Sequence, residues 1–264
     1  MNPARCAVPI SPFGGATGRY YLGPTHEEAF SRLLFLWEQQ RRLGLLMGPT
    51  GSGKTSLLRH FARHVRRCGA PTAMLSLIGL EPGEALARIA ADFAMALSPS
   101  ATLPRIWRAL EDRLNEFAYE QVSVVILCDD ADQASASVIE HVQRLIVSSP
   151  AECKMTVVLS GRLEQIGRVG RRLLDSADLR IDLPPWTRDE TAAMLSEFLS
   201  AEPSGCPRFS LDAIERLYAL SRGLPRRICH LADMALVVAR SRGADEIDSD
   251  LIDLVHDELG LTEG

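Results

Sequence analysis

Two adjacent carboxylates follow an apolar run near the middle of the chain. Asp129 and Asp130 come directly after VVILC, residues 124–128, which is typical of a buried strand. Acidic residues at a strand end can open a turn by bonding their own backbone. They can also hold a divalent cation and polarise a water molecule. Both interpretations fit these residues, so the choice depends on what else the chain supplies.

A glycine-rich loop earlier in the chain favours the second interpretation. The segment GPTGSGKT, residues 48–55, matches G-x-x-x-x-G-K-[ST] at every fixed position and lies between an apolar strand and a helix. Glycines let successive amide N–H groups point at phosphate oxygens, and the helix N-terminus adds the positive end of its dipole. The loop therefore predicts ATP binding. The residues expected to contact the nucleotide are Gly48, Pro49, Thr50, Gly51, Ser52, Gly53, Lys54, Thr55 and Ser56.

The loop gives each reactive side chain a role. Lys54 should contact the β- and γ-phosphates, and the Thr55 hydroxyl should ligate Mg²⁺. Asp129, at the end of a second strand, should hold the same Mg²⁺. Asp130 should then face the γ-phosphate, where a carboxylate can orient and polarise an attacking water. The pattern predicts a Mg²⁺-dependent ATPase in which one acid serves the metal and the other serves the water.

Two further polar residues are candidates for the same site. Ser160 ends the apolar run TVVLS. It either senses the γ-phosphate or positions the water, or it is an ordinary strand end. Arg226 follows Gly223 and Pro225, which should end one helix and begin the next. From that first turn Arg226 can contact a nucleotide, and the alternative is a solvent-exposed arginine.

These residues need a scaffold, and the chain supplies one in alternating apolar runs and helices. Runs of Val, Ile and Leu separated by helices indicate a parallel sheet covered on both faces. We therefore predict a doubly wound α/β domain over residues 25–185. Its five strands are expected at residues 43–47, 72–78, 122–128, 154–160 and 179–183.

The pattern changes after Pro185. From there to Gly260 we find only helical periodicity, in four segments, which predicts a helical domain over residues 186–264. Residues 1–24 are rich in Pro and Gly and predict an extended arm. The expected helix caps in the C-terminal part are Thr187 with Glu190, Ser210 and Ser249.

Composition narrows the class of protein. The chain has 264 residues, of which 46% are hydrophobic, and a net charge of −5 that gives no overall case for nucleic-acid binding. Its six cysteines include no C-x-x-C pair, which fits free thiols in a reducing compartment. The sequence lacks both a run of ~20 apolar residues and a basic-then-apolar N-terminal signal. We therefore expect a cytoplasmic protein without a membrane span.

At the level of motifs, the chain resembles the AAA+ ATPases, and most closely the ExeA/GspA secretion-ATPase group and its TniB-type transposition relatives. The resemblance implies a P-loop NTPase sheet in the order 5-1-4-3-2, a C-terminal helical lid, and nucleotide bound between them. It also implies that Arg226 is the sensor-2 arginine and that Ser160 is at the sensor-1 position. The motifs that carry it are PF (12–13), YYLGPTHEEA (20–29), GPTGSGKTSLLR (48–59), VVILCDDAD (124–132), VVLSGR (157–162), LPPWTRDET (183–191) and GLPRRICHLADMAL (223–236).

The chain departs from the family pattern at three places. Asp130 stands where the family usually has Glu, and Cys229 ends a motif that elsewhere reads Gly-x-Pro-Arg-x-x-Asn. The family has an arginine that acts on the neighbouring subunit where this chain has Ser176. Arg171 and Arg172, about one turn earlier, are the candidates for that role. Secretion ATPases of this group continue into a membrane span and a peptidoglycan-binding region. We expect this chain to be the ATPase module alone.

Three functions are compatible with these motifs. The leading hypothesis is a homo-oligomeric motor or switch that acts on a protein partner in secretion or envelope assembly. The alternative is an ATP-dependent, DNA-binding regulator of the transposition type, favoured by basic clusters at residues 63–67 and 168–172. A metabolic kinase also uses a phosphate loop, but the helical domain and Gly-Leu-Pro-Arg argue against it. No small-molecule substrate beyond ATP is therefore expected.

Overall fold

The computed structural model describes Phe13, residues 20–200 and residues 206–260. The chain divides into two compact units. One unit spans residues 25–184, and the other comprises the residues from Pro185 onward with those described before residue 25. The extended arm predicted for residues 1–24 lies largely outside the described residues. The domain boundaries 25–185 and 186–264 stay predictions.

The first unit is built on a five-stranded parallel sheet. Its order is β2-β3-β4-β1-β5, which is the predicted order 5-1-4-3-2 counted from the other edge, so the fold prediction is confirmed. Every residue of β1, β3 and β4 is buried, as the continuous apolar runs predict. The strands are β1 (Leu43–Met47), β2 (Thr72–Ser76), β3 (Val124–Asp129), β4 (Met155–Gly161) and β5 (Leu179–Asp182).

Helices connect these strands. The helix that begins at Pro82 ends at Asp92, and Ala94 just beyond it has a left-handed backbone with φ 58°. Two 3₁₀ segments, residues 131–133 and 163–169, follow β3 and β4. The helices are α1 (Pro24–Glu38), α2 (Lys54–Arg67), α3 (Pro82–Asp92), α4 (Leu103–Tyr119), α5 (Ala136–Ser148) and α6 (Arg171–Asp175).

The second unit contains the four predicted helices. It also contains a short parallel pair of strands, β6 (Arg208–Phe209) and β7 (Glu246–Ile247), which helical periodicity does not predict. Within the residues that the structure describes, no helix is both long and apolar enough to cross a bilayer. The helices are α7 (Arg188–Ser200), α8 (Leu211–Ser221), α9 (Pro225–Arg242) and α10 (Ser249–Glu258).

Two of the three predicted caps in this unit are confirmed. The Thr187 N–H donates to Glu190 Oε2 at 2.8 Å and the Glu190 N–H donates to Thr187 Oγ1 at 3.2 Å, which is a capping box. Ser210 caps α8 by accepting from an amide one turn on. Ser249 as an N-cap is wrong, because the Asp248 carboxylate accepts that hydrogen bond and Ser249 is the first helical residue. Asp and Ser are about equally favourable as N-caps, so the sequence does not show which of the two adjacent residues caps the helix.

Residues before α1 pack into the core of the helical unit. The Phe13 ring, 6% exposed, stacks on Phe198 with ring centroids 5.6 Å apart, and it meets Phe209 edge-on at 6.5 Å. Tyr21 meets Trp186 edge-on at 5.3 Å. Such aromatic contacts add to the stabilisation from burial itself. The helical unit therefore takes part of its core from the N-terminal segment, which the Pro and Gly content of that segment does not predict.

Replacing Phe13 should weaken the helical unit. We expect Phe13→Ala to lower its free energy of unfolding by about 3 kcal/mol, because a buried ring leaves a cavity among its neighbours. Leu211→Ala is the control in the same unit, because Leu211 is 77% exposed and should cost less than ~0.5 kcal/mol. Urea unfolding of both variants measures the difference. A Phe13→Ala protein as stable as wild type would contradict this packing.

Candidate active site

Glycine suits the loop after β1 for two reasons, its freedom at positive φ and its lack of a side chain. Gly53 has φ 95°, in the left-handed region, and directly precedes α2. A Cβ atom on Gly48 would lie 2.5 Å from the Leu183 carbonyl oxygen. The loop therefore runs closely against the end of β5, and any side chain at residue 48 would displace it.

Several backbone N–H groups of the loop have no hydrogen-bond acceptor within the part of the protein that the structure describes. Within the described residues, the amide N–H groups of Gly51, Gly53, Lys54 and Thr55 take part in no hydrogen bond. The buried Ser52 hydroxyl has no partner there either. An unpaired polar group away from water is costly, and the Ser52 hydroxyl is such a group. Donors at a helix N-terminus fit the oxygens of a phosphate group.

Lys54 adds a buried positive charge to these donors. Its side chain is 9% exposed, and Nζ donates to the carbonyl oxygens of Gly48 at 2.7 Å and Pro49 at 2.9 Å. Burial lowers the pKa of Lys54, and the nearby carboxylates Asp129, Asp132 and Asp130 oppose that change. The ammonium group thus lies in the field of the acids that follow β3.

Asp129 lies between two hydroxyl groups from neighbouring elements. Thr55 Oγ1 donates to Asp129 Oδ2 at 2.5 Å, and Ser160 Oγ donates to Asp129 Oδ1. Asp129 is 3% exposed, and its backbone is part of β3. The structure therefore brings the loop and this acid together. Ser160 is fully buried against Asp129, so the structure brings it to the acid.

The Thr55 and Asp129 oxygens fit a magnesium ion. Among the described residues there is no cluster of three His, Cys, Asp or Glu side chains that could hold a metal. Mg²⁺ typically binds through one or two protein oxygens and completes its shell with substrate phosphates and water. Thr55 and Asp129 would hold it, and the ion would supply positive charge that stabilises the phosphates during their transfer.

Asp130 lies beside this pair in an unusual backbone conformation. Its φ is 55°, a left-handed conformation that Asp tolerates better than most residues. Ser76 Oγ, at the end of β2, donates to Asp130 Oδ2 at 2.9 Å. Burial and the charge of Asp129 raise the pKa of Asp130, and the Ser76 hydrogen bond opposes that rise. Sequence analysis missed Ser76, although the strand order places the ends of β2 and β3 side by side.

An ion pair, which was also not predicted from the sequence, joins the segments that follow β3 and β4. Arg162 Nε donates to Asp132 Oδ2 at 2.7 Å, and the Asp132 side chain is 1% exposed. A Cβ atom on Gly161 would lie 3.0 Å from Asp132 Oδ1, so the backbone of β4 approaches this acid closely. Buried charges need a partner. The ion pair could have been predicted, because DDAD and SGR place an acid and an arginine after two neighbouring strands.

The remaining loop contact comes from α1. His26 is 1% exposed, and its Nε2 lies 3.0 Å from the carbonyl oxygen of Ser52. Because a carbonyl only accepts, the imidazole donates through Nε2–H. No sequence rule assigns such a contact to a histidine 26 residues away along the chain.

Of the three predicted arginines, two belong to the sheet unit and one to the helical unit. Arg171 and Arg172 are exposed on α6. Arg172 lines a cleft with Arg41 and Asp178, near the amino ends of β1 and β5, whereas the acids follow the carboxyl end of β3. Arg226 is exposed on the first turn of α9, which begins at Pro225 as predicted.

The fold and this geometry define a class of protein. A phosphate-binding loop between β1 and α2, and acids at the carboxyl end of β3 in a 2-3-4-1-5 parallel sheet, are features of the P-loop NTPases. Ligands of open α/β sheets bind at this edge.

Comparisons with known proteins narrow the class. Residues 38–168 match the family model described as an AAA domain. The chain is 28% identical over 252 residues to general secretion pathway protein A of Aeromonas hydrophila, a match that covers 91% of this chain and 44% of that protein. The chain thus spans less than half the length of that relative.

Solved structures agree on the fold. Cdc6p of Pyrobaculum aerophilum has a TM-score of 0.76 at 15% identity, covering 94% of this chain and 70% of that chain. The Aeropyrum pernix ORC1 protein, solved in complex with DNA, has a TM-score of 0.70 at 18% identity, covering 90% of this chain and 66% of that chain. The resemblance of the chain to the AAA+ ATPases of the ExeA/GspA group is confirmed.

Proposed function

We propose that this chain binds ATP with Mg²⁺ and hydrolyses it slowly. The observation that carries the proposal is the arrangement of unpaired loop donors, the buried Lys54 ammonium and the Thr55–Asp129 pair at one edge of the sheet. The donors and Lys54 would hold the phosphates, and Thr55 with Asp129 would hold the metal. Ser160 would position Asp129 through its hydrogen bond.

Asp130 is the proposed group that polarises the attacking water. Its carboxylate is one methylene, about 1.5 Å, closer to the backbone than the Glu usual in the family. Misplacing a catalytic group by ~1 Å can cost ~10²-fold in rate. Ser76 also holds the carboxylate through a hydrogen bond that it must share with or yield to the water. Both features favour a long-lived ATP-bound state, which suits a switch better than a fast motor.

Two arginine roles complete the proposal. Arg171 or Arg172 would act on the nucleotide of a neighbouring subunit, because both are exposed on α6 and Arg172 lies toward the amino ends of the strands. Arg226 would act as the sensor-2 arginine, since it lies on the first turn of a helix that Gly223 and Pro225 set apart. The role of Arg171 or Arg172 requires a homo-oligomer.

The proposed biological role follows the relative. General secretion pathway protein A is named for secretion, and we propose that this chain drives or switches a protein partner in secretion or envelope assembly from the cytoplasm. The alternative is a DNA-binding regulator. It is favoured by Arg59, Arg63 and Arg67, which are exposed at a spacing of four on one face of α2. Duplex binding that weakens steeply with salt, in the presence of ATP, would support the alternative.

Lys54→Ala should abolish measurable ATP binding. The substitution removes the flexible cation of the phosphate site and its hydrogen bonds to the loop carbonyls of Gly48 and Pro49. Lys154→Ala is the matched control, because Lys154 is the other lysine in the sequence and directly precedes β4, at the opposite end of that strand. Calorimetry with Mg²⁺-ATP measures both. Wild-type affinity in Lys54→Ala would reject the site.

Asp130→Asn should slow single-turnover hydrolysis by ~10²-fold with ATP binding retained, because the amide cannot accept the proton of the water. Asp130→Glu should be as fast as wild type or faster, since it restores the usual reach. Rapid-quench measurement at saturating enzyme separates the chemical step from product release. If Asp130→Asn hydrolyses ATP as fast as wild type, Asp130 is only a turn residue.

Turnover per subunit should fall when the protein is diluted through its dissociation range, because a trans arginine can contribute ~10³–10⁵ in rate. Arg171→Ala and Arg172→Ala test the two candidates, and Arg168→Ala on the preceding 3₁₀ segment is the control. Mixing an inactive arginine variant with Lys54→Ala subunits should restore activity, since each supplies what the other lacks. Constant turnover on dilution would exclude a trans arginine.

A further inference from the structure

His26 makes a hydrogen bond that controls one peptide unit of the phosphate loop. The imidazole is buried on the first turn of α1, and Nε2–H donates to the Ser52 carbonyl oxygen at 3.0 Å. The carbonyl of Ser52 and the amide of Gly53 belong to the same peptide unit. Whatever holds one end of this unit therefore orients the other.

The geometry of a trans peptide sets that orientation. In a planar trans unit the C=O and N–H bonds point in opposite directions, and the described residues contain no cis peptide bond. A Ser52 oxygen held on His26 therefore directs the Gly53 N–H away from His26. Within the described chain this N–H is one of the loop donors that make no hydrogen bond.

The loop fits closely around the imidazole. A Cβ atom on Gly53 would lie 2.6 Å from His26 Nε2, well inside a van der Waals contact. Gly53 also has φ 95°, so its backbone and its lack of a side chain both suit this approach. The ring therefore lies on the carbonyl side of the Ser52–Gly53 peptide, and the Gly53 N–H points away from it.

We propose that His26 is a positioning residue for phosphate binding, which presents the Gly53 N–H to the phosphates of the nucleotide. The inference rests on the proposed ATP binding and adds the residue that orients the cradle. Without the Nε2–H donor, the peptide unit loses the partner of its carbonyl and can rotate. A carbonyl oxygen turned toward the phosphates would repel them, so one donor would be lost and one repulsion gained.

A comparison of amide side chains in the full chain tests this role. His26→Gln keeps an N–H donor at about the reach of Nε2, whereas His26→Asn carries the same amide one methylene shorter. His26→Phe keeps the ring volume and removes the donor. We expect Mg²⁺-ATP affinity within about twofold of wild type for His26→Gln. His26→Asn and His26→Phe should bind about tenfold more weakly, the scale of one lost hydrogen bond.

Magnesium tripolyphosphate serves as a second ligand, because it carries the phosphates without the base or ribose. It should show the same order of affinities if the effect lies in the phosphate cradle. Thermal unfolding of each variant without nucleotide measures its stability. If the role of His26 were only structural, the variants would differ in stability. Rescue by Gln with loss in Asn, at similar melting temperatures, supports the proposal. If His26→Phe fails to fold, the comparison of Gln with Asn decides.

Two results would overturn the proposed role of His26. Equal affinities in His26→Gln and His26→Asn would show that the donor position does not matter. Affinity losses that merely follow the melting temperatures would show a structural role only. Either result, combined with loss of binding in Lys54→Ala, rejects the role of His26 and leaves the ATP site standing. Wild-type protein that fails to bind Mg²⁺-ATP would instead reject the proposed function together with this inference.

Discussion

Parallel pairing of β3, β4 and β1 is the constraint on which the candidate site depends. It places the carboxyl ends of the three strands at one edge, so the loop after Met47, the acids after Cys128 and the hydroxyl of Ser160 meet there. The register matters as much as the order, because Leu46 is opposite Ser160. A slip of one residue in β4 would turn Ser160 to the other face of the sheet and away from Asp129.

The charges at this edge are arranged around a single lysine. Three carboxylates, Asp129, Asp130 and Asp132, lie close enough to oppose the effect of burial on the pKa of Lys54. Arg162 is paired with Asp132 and offsets part of this negative charge. Excess negative charge in a partly buried site favours a divalent cation, and the Thr55 and Asp129 oxygens are positioned to bind one.

The parallel sheet and the glycine-rich loop could be predicted from the sequence, because each depends on residues that are close together in the chain. Continuous apolar runs predicted a buried parallel sheet, and the spacing of Gly48, Gly53 and Lys54 predicted the loop. The missed features join segments that are distant in the chain. The contacts of Ser76 with Asp130 and of His26 with Ser52 depend on which strand or helix lies beside which. The burial of Phe13 among helices that begin near residue 188 has no local pattern either.

The central claim is that one edge of the sheet binds ATP and magnesium through the loop and Asp129. A crystal structure with Mg²⁺ and a non-hydrolysable ATP analogue tests it most directly. We expect phosphate oxygens on the amides of Gly51, Gly53, Lys54 and Thr55. Mg²⁺ should lie near the oxygens of Thr55 and Asp129, and the Ser52 carbonyl should still accept from His26. Nucleotide bound elsewhere, or a metal held by other side chains with Asp129 uninvolved, would contradict it.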